Sequence, residues 1–435
     1  MTQIVTTRPN ILFIMTDQQH AGALSCVGNK DLKTPAMDSL AANGTMFEKS
    51  FCSFPLCLPS RAAMFSGRMP HEVDVFTNCD KAQGFTTSPV LGKWFADAGY
   101  DCGYFGKWHL PADQKNTEKH GFESCQMADR MDDKIPAACA SFLAARRDRP
   151  FFLVASFLNP HDICEWARGT MPVTGGPPAA ELCPVLPDNF EIPADEPEVL
   201  REERIDDMVH PTGHWDEAKW RQYRWAYFRL IEKVDAQIGQ ILDSLRKAGC
   251  EKDTLVVFTS DHGDGAAAHR WNQKIVLYEE SVRVPFIVSF QGVTRGGARD
   301  SGHLVSTGLD LFPTLCDYAG ILVPEGLQGR SVRPLAEGNE AATWRDCVFA
   351  ETTLRTAKVP GTNTSASGRM ARTLRHKYIA YSAGERREQL FDMDQDPGEK
   401  VNLAGSDAHQ AVLADLRKRL ADWCVRTRDS FPDAP

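Results

Sequence analysis

Asn10-Ile11-Leu12-Phe13-Ile14-Met15-Thr16-Asp17 is the stretch that decides the fold. Five apolar residues in succession, rich in strand formers and closed by a polar pair, read as a strand buried on both faces. Outward from it the pattern recurs. Thr254 to Phe258 (TLVVF) runs into Thr259-Ser260-Asp261, and Phe151 to Phe157 (FFLVASF) runs into Asn159-Pro160-His161. Pro285 to Phe290 and Tyr100 to Phe105 are further examples. Between them lie helical patterns, the clearest being Leu230, Val234, Ile238, Ile241 and Leu245, in a helix expected to begin near Trp215. Such alternation predicts an α/β fold, with a large mixed, mostly parallel sheet and helices on both faces. Asp17, Lys107, His161 and Asp261 all fall just past the carboxyl ends of these strands, the edge where ligands bind in open α/β sheets.

Residues 170–214 interrupt the alternation, with seven prolines from Pro172 to Pro197 and few helical signals. We read them as a lid insertion over that edge. From about residue 341 the texture changes: Lys377–Tyr381 and Gln389–Met393 read as short antiparallel strands. A terminal helix capped by Ser406 follows, with Val412, Leu416, Leu420 and Trp423 on one face. The expected division is a catalytic α/β domain at 1–340 and a smaller C-terminal α+β subdomain at 341–435.

The whole chain has 435 residues and a net charge of -9, which argues against a nucleic-acid partner. No apolar run reaches the ~18 residues of a membrane span, so no membrane association is expected. The start, MTQIVTTRPN, lacks a signal-peptide pattern, which makes the cytoplasm the default expectation. The 13 cysteines are scattered without C-x-x-C pairs, which fits neither a disulfide framework nor a zinc ribbon.

Cys57-Leu58-Pro59-Ser60-Arg61 carries the sharpest chemistry. Pro59 suits a first helical turn, so Cys57 belongs at a helix N-terminus, where unpaired N–H groups favour an anion. Arg61, four residues on, shares its side of the helix. The expectation is a nucleophile, a helix dipole and a guanidinium converging on one anionic group. Asp17 and Asp261, with Gln18 and His262 beside them, offer ligands suited to a hard divalent cation.

These features together resemble the type I sulfatases of the alkaline phosphatase superfamily. That family carries C-x-P-S-R-x-x-x-x-[ST]-G-R, and Cys57 to Arg68 reads CLPSRAAMFSGR. The likeness extends through PNILFIMTDQQ, GKWHL at 106–110, NPH at 159–161, TSDHGD at 259–264, KIVLYEESVRVPFIV at 274–288, DLFPTL at 310–315 and QLFDMDQDPGEKVNLA at 389–404.

The resemblance implies that a maturation enzyme oxidises Cys57 to formylglycine, whose hydrate attacks sulfur through one hydroxyl and expels sulfate by re-forming the aldehyde. It implies one divalent cation, calcium with magnesium as the alternative, held by Asp17, Gln18, residue 57, Asp261 and His262. Gln18 stands where the family normally has a second aspartate, and His262 takes an asparagine position. Lys107 and Lys274 would hold sulfate oxygens. His109 would orient or deprotonate the nucleophile, and His161 would protonate the leaving oxygen or bind sulfate. The implied activity is hydrolysis of a small-molecule or saccharide sulfate ester. The alternatives are a phosphonate monoester or phosphodiester hydrolase, or a non-catalytic anion-binding protein if Cys57 stays a thiol. Asp162, Glu165, Trp166 and Arg168 are candidate substrate contacts, His269 and Trp271 are weaker site candidates, and Glu280 and Arg283 are expected to form an ion pair.

Overall fold

A computed structural model of the chain describes residues 8–80, 83–205, 211–339 and 343–431. Its main sheet has eight strands, in the order Ser124–Met127, Asp101–Gly106, Phe151–Pro160, Asn10–Asp17, Thr254–Ser260, Phe286–Ser289, Thr45–Phe47, Ala298–Asp300. All run parallel except Phe286–Ser289, so the sheet is mixed and mostly parallel. The Asn10 strand lies at its centre, paired with Phe151–Pro160 on one side and Thr254–Ser260 on the other. That position explains its unbroken apolar run, because alternate side chains enter two separate cores. Ile11, Phe13 and Met15 face the core beneath helices Cys57–Ser66 and Thr307–Ala319. Leu12 and Ile14 face the core under the long helix Glu217–Lys247. Each such large side chain, fully buried, contributes about 1.5–3 kcal/mol.

The long helix starts where its sequence allows a cap: the Asp216 carboxylate accepts the Lys219 N–H at 2.8 Å. Leu230, Val234, Ile238, Ile241 and Leu245 are its buried face. The strands of this sheet that the sequence does not reveal, Thr45–Phe47, Ser124–Met127 and Ala298–Asp300, hold three or four residues each, too few to show a period.

The C-terminal part is a four-stranded antiparallel sheet, Val348–Lys358, Ser365–Arg372, His376–Tyr381 and Glu388–Asp392, crossed by helix Gln410–Thr427. Only the last two strands were legible. The first two bury polar groups, Glu351, Arg369 and Arg372, which blur the apolar alternation. Ser406 does not cap the terminal helix. It precedes a short 3-10 turn at Asp407–His409, and its hydroxyl meets His409 Nδ1 at 2.9 Å. The helix buries Leu413, Leu416, Leu420 and Trp423, the last stacked on Phe349 at 4.4 Å.

Residues 170–214 do contain a helix, Glu198–Arg204, while 206–210 lie outside the described residues. The segment is fastened at several points. Arg221 of the long helix donates to the Cys183 carbonyl at 2.8 Å, and Phe190 packs edge-on to Trp220 at 5.9 Å. Buried Glu203 accepts the N–H groups of Arg355 and Thr356 on the C-terminal sheet. The expected boundary at 340/341 also falls outside the described residues, as do residues 1–7. Among the described residues no helix is long and apolar enough to cross a membrane.

Candidate active site

The parallel register brings the chemistry together. Asp17 ends its strand, and Asp261 and His262 follow the neighbouring one, whose Asp261 N–H donates to the Thr16 carbonyl at 3.1 Å. On the other side, Lys107 follows Gly106. A Cβ at Gly106, whose φ is +113°, would stand 1.9 Å from the Ser156 carbonyl oxygen. Only glycine lets the chain turn there and carry Lys107 across to the carboxylate. Cys57 is the first residue of helix Cys57–Ser66, as Pro59 predicts. The helix end is not wholly open to an anion, because the Leu58 N–H donates to Asn78 Oδ1 at 3.1 Å.

Asp17, Cys57, Asp261 and His262 are fully buried, with their ligand atoms within 4.8 Å of one another. The Cys57 sulfur accepts from Lys274 Nζ at 2.9 Å and lies 3.3 Å from His262 Nε2 and 3.6 Å from Asp17 Oδ1. Lys107 Nζ donates to Asp17 Oδ2 at 2.6 Å. His109 and His161 also face the Cys57 side chain, and His109 keeps an unpartnered Nδ1. His109 and Gln18 hold positive φ values of 40° and 76°, unusual for side-chain-bearing residues and common at functional sites.

The electrostatics follow from burial opposed by charge. Burial raises the Cys57 thiol, yet Lys107, Lys274 and His262 together bring it well below its ordinary value. Burial and Cys57 push Asp17 upward, and Lys107, Lys274 and His161 outweigh them, holding it far below the carboxylate range. Asp261 moves the other way, raised by burial and by Asp17 against His262 and Arg61. His161 is lowered to about 4 by burial and by Lys274 and Lys107. His262 is raised: burial and Lys274 lower it, but Asp261 and Cys57 together outweigh them.

Arg61 departs from its expected place. Its guanidinium, wholly buried, donates through Nε to Asp261 Oδ2 at 2.8 Å and through Nη2 to Asp17 Oδ2 at 3.1 Å. Nη1 donates to the Lys107 carbonyl at 3.0 Å and Ser156 Oγ at 2.9 Å. The side chain braces the carboxylates from beneath instead of reaching an anion beside Cys57. Gln18 is likewise held, with its carboxamide nitrogen on Asp264 Oδ2 at 2.7 Å.

Several candidates resolve differently. Trp166 is core, edge-on to Trp215 with Lys219 Nζ 4.1 Å over its ring. Asp162 accepts Asn159 Nδ2 at 3.0 Å, and Glu165 engages Thr170, Arg168 and Arg130. Arg283 pairs with Glu279 at 3.3 Å and not with Glu280, which takes Asn189 Nδ2 at 3.0 Å. His269 stacks on Tyr278 at 4.1 Å near Glu280 and Glu399, where Lys377 supplies the cation at 2.7 Å from Glu399. Trp271 is buried and donates to the Lys274 carbonyl at 3.1 Å, which braces that lysine. Ser156, Asn78, Asp264 and Tyr223 were not legible, since each acts through partners remote in sequence.

Comparison with known proteins follows the same lines. The chain matches the family model "Sulfatase" over residues 9–321 and "N-sulphoglucosamine sulphohydrolase, C-terminal" over 267–426. It is 31% identical to a Delta 4,5-hexuronate-2-O-sulfatase of Bacteroides thetaiotaomicron, over 98% of this chain and 90% of that protein. The solved structure of a 2-O GAG sulfatase superposes with a TM-score of 0.88 at 30% identity, covering 98% of this chain and 94% of the other. The phosphonate monoester hydrolase of Agrobacterium radiobacter shares the fold, with a TM-score of 0.76 at 22% identity over 97% of this chain and 96% of that one.

Proposed function

The chain belongs to the sulfatase family of the alkaline phosphatase superfamily, and from that premise we propose that this sulfuric ester hydrolase cleaves the sulfate ester of a sulfated saccharide. In this reading residue 57 acts as formylglycine beside one calcium ion. The observation that carries it is the meeting of Cys57, two carboxylates, His262 and Lys274 in one buried cluster at the sheet edge. The saccharide class comes from the names of the hexuronate and GAG sulfatases to which the chain is similar. We also take 1–340 as the catalytic unit and 341–435 as its subdomain.

The donor set suits a hard divalent cation. His262 Nδ1 lies 2.9 Å from the Gly263 carbonyl oxygen, a pure acceptor, so Nδ1 keeps a proton and Nε2 faces the carboxylates. Asp17, Asp261, His262 and Gln18, with residue 57, would hold the ion. The chemistry supplied by an ion bound there would be polarisation of the sulfuryl oxygens and a lower pKa for the attacking hydroxyl. The hydrated formylglycine supplies that hydroxyl and a second one for release of sulfate.

The other groups are the chain's own. Lys274 and Lys107 carry positive charge to the sulfuryl oxygens, and both are nearly buried, where charge acts strongly. His109 orients the residue-57 side chain and can take its proton. His161, kept neutral near pH 7 by burial and the two lysines, can donate an N–H hydrogen bond to the sulfuryl or leaving oxygen. Arg61 fixes the spacing of the two carboxylates.

The test is the intact mass of the tryptic peptide containing residue 57, from enzyme expressed with a formylglycine-generating partner, alongside rates on aryl sulfate and aryl phosphonate esters. An aldehyde at residue 57 and faster sulfate hydrolysis are expected. A thiol in fully active enzyme would overturn the nucleophile, and a preference for the phosphonate would overturn the substrate class.

A further inference from the structure

We infer that Asp264, seated by Tyr223, is a positioning residue that makes Gln18 present its amide oxygen, and not its amide nitrogen, toward the cation cluster. This rests on the cation reading proposed above. Among the ligand candidates Gln18 alone ends in two unlike atoms. An amide flip would replace a donor of electrons by an N–H group, so orientation decides whether Gln18 is a ligand at all.

The structure supplies a device for that choice. Gln18, Asp264 and Tyr223 are all fully buried. Gln18 Nε2 donates to Asp264 Oδ2 at 2.7 Å. Asp264 also accepts the Ala266 N–H at 2.7 Å and the Tyr223 hydroxyl at 3.0 and 2.9 Å. Each of these partners is a donor, so the carboxylate acts there purely as acceptor. The reversed amide would set oxygen against oxygen at hydrogen-bond distance, leaving buried acceptors unpaired. The Cys164 sulfur lies beside both ends of the amide, 3.3 Å from Nε2 and 3.4 Å from Oε1, and a thiol so weak as a partner leaves the oxygen free to bind a cation.

The backbone is pinned as well. The Gln18 N–H donates to Asp261 Oδ1 at 3.1 Å, which ties the residue to the ligand cluster. The Tyr223 hydroxyl accepts the N–H of Gln273 at 3.1 Å, next in sequence to Lys274. One tyrosine on the long helix thus steadies both the amide on the cation side and the lysine on the thiol side. Groups behind metal ligands commonly change metal affinity by about 10–100-fold when removed.

The experiment is isothermal titration of calcium chloride into full-length, chelator-stripped protein, with thermal melts as a check on folding. Asp264→Asn can offer either end to Gln18 and should weaken calcium binding about tenfold or more. Gln18→Glu ends in two equivalent oxygens, so orientation no longer matters. In that background Asp264→Asn should cost no calcium affinity, and should raise it by removing a facing carboxylate. If Asp264→Asn does not fold, Tyr223→Phe serves in its place, with a smaller loss that vanishes in the Gln18→Glu background. Unchanged affinity in the folded single variant, or an equal loss in both backgrounds, would overturn the orienting role alone. No calcium binding by the wild-type chain would overturn the cation reading and this inference with it.

Discussion

Arg61→Met separates two roles for one side chain. If the guanidinium served the substrate's anionic group, its loss would raise KM and leave stability untouched. In the fold it instead spans Asp17 and Asp261 with no exposed surface. Methionine fills a similar volume but leaves both carboxylates short of a counter-charge, although Lys107 still holds Asp17. Removing one member of a buried ion pair costs about 3–5 kcal/mol. With about 2.1 cal/mol/K of unfolding entropy per residue, a single cooperative transition of 435 residues carries roughly 0.9 kcal/mol/K. The melting midpoint should therefore fall by about 3–5 °C in chelator, followed by circular dichroism. Arg61→Lys retains the charge and loses the fork, so it should fall between. Both variants should lose kcat on a small aryl sulfate, because the carboxylates lose their spacing. A midpoint within about 1 °C of wild type for Arg61→Met, with KM raised and kcat kept, would refute the bracing role.

Three further outcomes are expected. Cys57→Ala should abolish turnover with the fold intact by circular dichroism, and Cys57→Ser should be severely impaired, since a serine ester cannot expel sulfate by re-forming an aldehyde. Shortening the partly exposed stretch between residues 171 and 182 leaves the anchors Phe190 and Glu203 in place. It should raise KM for a saccharide substrate far more than for an aryl ester, whereas a lower melting point with an unchanged activity ratio would mark the segment as structural. Finally, His71 joins the two parts of the chain through Glu351 at 2.9 Å and Asp429 at 3.8 Å. Burial lowers its pKa, but the Glu351 hydrogen bond and both carboxylates raise it above 6.5. A raised folded pKa gives stability that is full below about 6.5 and fades as pH climbs through the folded value. The melting deficit of His71→Gln should accordingly be largest near pH 6 and shrink toward pH 9, and a deficit constant with pH would exclude His71 as its source.

The sequence by itself determined the central strands, the sheet edge and the family, because each is written in contiguous residues. The apolar run at Ile11–Met15, short, rich in strand formers and closed by polar residues, reads as a strand covered on both faces, and CLPSR places Cys57 at a helix start. It also brought out the two carboxylates at strand ends directly, and the lysines and histidines through the short motifs that carry the family resemblance. Tertiary structure alone decided what those groups do to one another. Arg61 was legible as a charge, but that it faces Asp17 and Asp261 depends on strands that pair across some 240 residues. Trp166 was ambiguous until Trp215 and Tyr223 enclosed it. Glu351 and Arg369 hid two strands because buried ion pairs break the apolar alternation from which strands are read. Asp264 stood at the end of the TSDHGD block with no role attached to it, and Tyr223 left no mark at all. A hydrogen bond made through a helix packed across the sheet has no period in sequence, and its effect exists only once the chain has closed around Gln18.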